Sequence, residues 1–197
     1  MPLFAIAQNG YTLRLHTLQS NGQSIIETNQ FPDTIQRAAF INQKLQYYFA
    51  QGYVYAAIIQ VNDSATFKTA SIQLQEKYYW NSLQLSTQAA QILSSFEPQI
   101  QTLVTQAIDP LKIEMLFDKI LTYTENNGYP LAILQFDEIK ITNQRVDATI
   151  SLTTGKLIKI DSVTVSDPTV ISPIFLRSYI GLKNGSLYNQ RKINLIN

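Results

Sequence analysis

Leu45-x-Tyr47-x4-Gly52-Tyr53-x2-Ala56-x-Ile58 and Leu121-x-Tyr123-x4-Gly128-Tyr129-x2-Ala132-x-Leu134 are one phrase written twice, 76 positions apart. Each copy reads as the last turn of a helix, a glycine that stops it, and an entry into a strand. An internal repeat at a fixed period decides architecture before weaker signals do. This one predicts a string of small α+β modules, two complete and a third begun.

Outward from the first copy, Tyr11 to Leu18 alternates loosely through Leu13 and Leu15 and reads as a strand. Gln19 to Gln30 reads as a polar loop. Pro32-Asp33 opens a helix with Asp33 as its cap, and Ile35, Ala38, Ala39, Leu45 and Phe49 recur at helical spacing toward Gly52. Ala56–Val61 and the alternation Ala70, Ile72, Leu74 predict two further strands, so the first module reads β-α-β-β. In the second module Tyr78, Trp80, Leu83 and Leu85 mark a strand with a slip in spacing. A helical stretch follows over 87–107. Asp109-Pro110 then starts a helix that turns Ile113, Leu116, Phe117, Ile120 and Leu121 inward. Two strands close it, the last through Val146, Ala148, Ile150 and Leu152, giving β-α-α-β-β. Ile158, Ile160, Val163 and Val165 repeat the first-strand spacing and open the third module. The chain reaches Asn197 inside a helix expected from about Tyr188, so the reading expects the natural protein to continue.

Composition narrows the function classes. The net charge is +1 and charged residues are only 15%, while Gln numbers 20 and Asn 13. Such a surface has no electrostatic grip on phosphate backbones, and no basic run is interleaved with aromatics, so no nucleic acid is expected as a partner. Cysteine is absent, which excludes disulfides and thiolate metal sites and fits a periplasm as well as any other compartment. Leu3 to Gln8, with Ala5-x-Ala7, resembles the tail of a secretory signal; residues 1–9 read as that tail or as disordered, with an ordinary apolar N-terminus as the alternative.

The repeated phrase followed by two alternating strands resembles a POTRA domain, the polypeptide-transport-associated module. The run Phe175 to Asn189, with Gly185-x-x-Tyr188, is similar to the family's phrase that opens the second helix. The resemblance covers about residues 10–197. It implies β-α-α-β-β modules with two helices on one face of a three-stranded mixed sheet: module 1 at 10–76, module 2 at 77–155, and a truncated module 3 at 156–197. Serial POTRA domains resemble the periplasmic arm of outer-membrane proteins of the BamA/TamA type. That resemblance implies unfolded outer-membrane or secreted clients, accessory lipoproteins as partners, and a C-terminal β-barrel outside this fragment. Module 1 departs from the pattern in showing a single clear helix.

Candidate chemistry is sparse. His16, the only histidine, has no cysteine or carboxylate within six residues. Asp137-Glu138 sits at a strand exit with no nucleophile phrase beside it, and Gly181 with Gly185 fits neither phosphate-loop spacing. No catalytic, metal or cofactor site is expected, and the chain reads as non-enzymatic. What remains is backbone chemistry: an edge strand offers unpaired N–H and C=O groups that an extended peptide can join. The resemblance places the exposed edges at Ala56–Val61 and Ala132–Phe136, which makes Ala56, Ile58, Gln60, Ala132, Leu134 and Phe136 the candidate client-binding residues. Gly52, Tyr53, Gly128 and Tyr129 are the structural repeat. A second reading stays open: a periplasmic or cell-surface binding module for a glycan or a protein, built of small α+β repeats.

Overall fold

The computed structural model describes residues 10–164 and 172–196; the signal-like stretch Leu3–Gln8 and Val165 lie outside these. The described chain gathers into two compact units. One holds the residues up to 81 with 103–111 and 141–146, and the other holds 82–102, 112–140 and the residues from 147 onward.

In the first unit, β1 (Tyr11–Leu18), β2 (Ser24–Phe31), β3 (Ala57–Asp63) and β4 (Phe67–Gln73) form one sheet in the order β2-β1-β4-β3. β1 runs antiparallel to β2 and parallel to β4, while β3 is antiparallel to β4. Leu13, Leu15, Ala70 and Ile72 are fully buried and face helix α1 (Thr34–Ala50), which adds Ile41 and Tyr48 to the core. Burial of each large apolar chain here stabilises by roughly 1.5–3 kcal/mol. The Tyr48 hydroxyl is satisfied inside this core, 3.1 Å from Thr17 Oγ1.

Two sequence expectations are corrected in this unit. Gln19 to Gln30 is not a loop: its second half is β2, so the element order is β-β-α-β-β and the sheet has four strands rather than three. β2 lacks an apolar alternation because it is an edge strand whose two isoleucines, Ile25 and Ile26, are both exposed. Its pairing comes from the ladder to β1 and from a tight turn in which Gln19 N–H donates to the Gln23 carbonyl and Gly22 adopts φ 83°. The inward stripe of α1 is also shifted. Asp33 caps the helix as expected, accepting from Gln36 N–H, but Ile35, Ala38 and Ala39 face solvent and Arg37, Ile41 and Tyr48 point in. A buried arginine breaks the apolar pattern that sequence periodicity relies on.

The second sheet joins β5 (Tyr79–Leu85), β6 (Ile133–Thr142) and β7 (Arg145–Thr153) in the order β5-β7-β6. Between β5 and β6 come α2 (Thr87–Leu93), a single 3-10 turn, α3 (Glu97–Gln101) and α4 (Pro110–Asn126), which gives β-α-α-β-β. The helical stretch stops at Gln101 instead of reaching Ala107, which is taken into a bridge with Tyr79. Val146, Ala148, Ile150 and Leu152 alternate inward, as their spacing predicts, and Leu116 and Ile120 of α4 are buried as well. Asn143 and Gln144 both have positive φ, the geometry of a two-residue hairpin turn between β6 and β7. Beyond β7 the expected strand through Ile158, Ile160 and Val163 reduces to a single bridge, Lys159 to Leu187, followed by α5 (Pro173–Ile180) and the short α6 (Gln190–Ile193).

The repeated glycines have two roles. Gly52 (φ 92°) and Gly128 (φ 94°) sit just past α1 and α4 in the left-handed region. Around them Gly52 N–H donates to Phe49 and Tyr53 N–H to Tyr48, and likewise Gly128 to Glu125 and Tyr129 to Thr124. That is a Schellman closure in both copies. The carbonyl of each glycine then accepts from a residue far downstream, Tyr78 N–H to Gly52 and Ile158 N–H to Gly128, both at 2.8 Å. The bonded segments are themselves pinned alike. Trp80 N–H donates to Gln106 and Ile108 N–H to Tyr78, while Ile160 N–H donates to Ser186 and Tyr188 N–H to Ile158. The first set lies wholly in one compact unit and the second wholly in the other. A Cβ at position 52 would stand 2.7 Å from the Tyr78 carbonyl oxygen, and one at 128 would stand 2.8 Å from Leu157 Cδ1.

Gly22 supplies the control for this double role, since it has φ +83° but nothing within 4 Å of a built Cβ. Gly22→Ala should cost about 1 kcal/mol, the left-handed strain alone. Gly52→Ala should cost about 2–4 kcal/mol, because backbone must also move. Urea unfolding of the two variants measures this, and equal losses would contradict the junction.

Candidate functional site

The positions expected to meet clients lie on or beside the two edges β3 and β6. Ile58 and Gln60 are in β3, the last strand of its sheet, and Leu134 and Phe136 are in β6, the last strand of the other. Ala56 and Ala132 precede the strands: each N–H donates to the tyrosine of the repeat, Ala56 to Tyr53 and Ala132 to Tyr129. Ala56 is buried in the core cluster. These alanines therefore turn the chain into the edge and are not part of it.

β3 is exposed along its whole length, including Ile58, Ile59 and Val61. A register slip between Ile58 and Gln60 leaves Ile59 without a partner residue in β4. Ser64 N–H donates to Phe67 at the β3–β4 turn. Alternation along the antiparallel ladder then aims the N–H groups of Val61 and Asp63 at the open side. β6 exposes Ile133, Ile139 and Ile141, while Phe136 turns inward to Phe117, ring centroids 5.0 Å apart. Glu138, at φ 53°, bends the strand midway. Both edges thus combine apolar, strand-forming side chains with a local irregularity of the kind that limits uncontrolled edge pairing.

The far end of β3 is held by charge. Arg37 reaches from α1 with its Nη2 2.9 Å from Asp63 Oδ1, and Lys68 from β4 sits 2.8 Å from Oδ2. The Arg37 side chain is only 2% exposed. Its Nε and Nη1 have no hydrogen-bond partner among the described residues, and its guanidinium lies over the Tyr11 ring at 5.4 Å. The hydrogen bond from Lys68 and the positive charge of Lys68 and Arg37 hold the Asp63 carboxyl below its ordinary value of 3.8, against an opposing effect of burial. Sequence reading missed this network because its three members are 26 and 5 residues apart and nothing in a periodicity marks a buried arginine.

The remaining candidates are not gathered into a site. His16 lies in β1 opposite Ile26 and Ser71, its Nε2 buried and without a hydrogen-bond partner among the described residues. Gln135 donates to Asp137 and Thr149 donates to Glu138, so that acidic pair is occupied by neutral donors. Gly181 ends α5 in the left-handed conformation, its N–H donating to Arg177, and Gly185 N–H donates to Ile160 in a turn. No set of three or more His, Cys, Asp or Glu among the described residues is placed to hold a metal ion.

Asp63 generates a pH prediction. A carboxyl with a depressed folded value contributes stability above the ordinary carboxylate range and loses it as pH falls through the folded value. Amide exchange at Asn62 and Ser64, whose N–H groups face β4, corrected for intrinsic rates, should therefore accelerate below about pH 4 before the core amides of β1 respond. Simultaneous loss of both would contradict a local clamp.

No protein-family model matches the chain. No curated protein matches it. Among solved structures the chain is similar to POTRA domains 3–5 of Haemophilus influenzae BamA, with 14% identity and a TM-score of 0.57, over 97% of this chain and 85% of that one. POTRA domains 1–3 of the periplasmic domain of Omp85 from Anabaena give 11% identity and a TM-score of 0.39, over 93% of this chain and 81% of that one. The N-terminal domain of Omp85 from Thermosynechococcus elongatus gives 11% and 0.37, over 90% and 80%. By its likeness to the first of these, its strand orders and its β-α-α-β-β sequence of elements, the chain has the fold of serial POTRA domains.

Proposed function

We propose that this chain is the periplasmic arm of an outer-membrane protein, which receives unfolded client proteins and passes them on for insertion or translocation. The observation that carries the reading is a POTRA fold whose two sheets each end in an exposed, apolar strand. Clients join β3 and β6 by strand addition. Main-chain hydrogen bonds supply the affinity, so many sequences are accepted. The arm is non-catalytic, and membrane insertion belongs to a β-barrel that it serves, with accessory lipoproteins as further partners. Its modules span 10–76, 77–155 and 156–197.

The low charge supports a general receptor. Charged residues are 15% of the chain at a net charge of +1, so long-range fields neither select nor repel clients by sign. Each added main-chain hydrogen bond nets about 1 kcal/mol, and the client loses entropy on ordering.

An extended peptide from an outer-membrane strand should bind with a dissociation constant on the order of tens to hundreds of micromolar. Val61→Pro removes an N–H on the open side and should abolish binding at β3 without unfolding the sheet, since an edge tolerates the lost donor. NMR titration of wild type beside the variant tests this. Identical shifts in both, or shifts confined to helix faces, would overturn strand addition at β3.

A further inference from the structure

α1 and α4 are equivalent helices of 17 residues, Thr34–Ala50 and Pro110–Asn126, yet the same face of each meets different surroundings. On α4 that face is Leu116, Ile120 and Tyr123, with Leu116 and Ile120 buried. The segment that runs through α2 and α3 buries its own Ala89, Leu93 and Ile100 and sets Phe96 edge-on to Tyr123 at 5.5 Å. On α1 the matching residues are Phe40, Lys44 and Tyr47. No helix precedes α1 among the described residues, because β2 occupies that part of the chain. In place of a covering helix there is a cavity of about 500 Å³ between α1 and β2, lined by Phe40, Lys44, Tyr47, Ile25, Glu27 and Gln51 among others.

The residue exchange at the floor of this cavity shows what the face is built for. Fully buried Ile120 corresponds to Lys44, whose ammonium is 2.8 Å from Glu27 and lies over the rings of Phe40 (5.5 Å) and Tyr47 (6.0 Å). A lysine there suits a face that is open in the free chain, since permanent burial of an ammonium is costly. Tyr47 is 57% exposed, against 37% for Tyr123, the equivalent ring with Phe96 against it. In the second sheet's own filler the aromatic is followed directly by a carboxylate, Phe96-Glu97. An aromatic offered to α1 finds the Tyr47 ring exposed, and a carboxylate offered beside it finds the Lys44 ammonium, whose charge Glu27 balances in the free chain.

We propose that this cavity docks an amphipathic helix of a partner protein that presents an aromatic side chain next to a carboxylate. The aromatic packs on Tyr47 as Phe96 packs on Tyr123, and the carboxylate competes with Glu27 for the Lys44 ammonium. This site lies beside β2 and away from β3 and β6, so it stands or falls separately from strand addition at those two edges.

The test is an NMR titration of the isotope-labelled 197-residue chain with three synthetic peptides. One is a stapled helix with Phe-Glu at its centre, one the same helix with Ala-Gln, and one an unstapled extended peptide rich in Val and Thr. The first should shift Phe40, Lys44, Tyr47 and Gln51, with affinity on the order of tens to hundreds of micromolar. Tyr47→Ala should weaken it at least about fivefold, the worth of one aromatic pair, with an unchanged melting temperature, and Lys44→Gln should remove its salt dependence. Absence of shifts, equal shifts from the Ala-Gln helix, or indifference to Tyr47→Ala would overturn the proposal. Groove shifts from the extended peptide alone would assign the cavity to client side chains instead. Self-association abolished by Tyr47→Ala would assign it to a second copy of this chain. Either would equally overturn it.

Discussion

The hydrogen bond from a downstream N–H to the carbonyl of a helix-stopping glycine is the constraint on which this structure depends. A glycine past a helix is ordinary on its own, since the left-handed conformation is free of Cβ strain there. Here the same residue also closes a second, distant loop, Tyr78 to Gly52 and Ile158 to Gly128. A side chain at either position would strike its surroundings at under 3 Å. The helix end is therefore also an anchoring point, and the chain uses the identical device in both of its compact units. Modules of fewer than about 80 residues bury too little apolar area to be generously stable alone, so a junction that orders the segment after each sheet adds cohesion where it is scarce.

The edges follow from the way each sheet is filled. Each sheet has one strand dense with buried apolar residues beside an edge that gives its side chains mostly to solvent: β4 next to β3, and β7 next to β6. The exposed edges are kept from pairing indiscriminately by the slip at Ile59 and the bend at Glu138. The Arg37–Asp63–Lys68 cluster holds the end of β3 against the sheet and helix. Stiff enough to keep its shape and open along one side, such an edge is suited to a transient extended guest.

Much of this was legible in the sequence because it depends on local chemistry. The repeat located both helix ends, the positive-φ glycines and the tyrosines behind them, and the alternation of Val146 to Leu152 marked the inner face of β7. The failures have physical causes. β2 exposes both of its isoleucines and owes its existence to β1, so no periodicity within it shows a strand. Arg37 is buried by virtue of a partner 26 residues away, and an apolar pattern cannot register a charge that tertiary structure neutralises. Ala56 and Ala132, offered as edge residues, are the turn that delivers the chain to the edge; the repeat marked their importance but not their place. The difference between Lys44 and Ile120 was visible as letters, and its meaning appeared only once Ile120 was seen fully buried and Lys44 beside an open cavity.

Site-resolved amide hydrogen exchange tests the glycine junctions most directly. The account predicts that the Tyr78 and Ile158 amides, although they lie outside the regular strands, are protected to a degree comparable with the buried ladder amides of Ile72 and Ile150. It further predicts that Gly52→Ala releases Tyr78 while leaving Ile158 protected. Exchange at Tyr78 and Ile158 as fast as at the exposed turn residues Asn21 and Asn143 would contradict it.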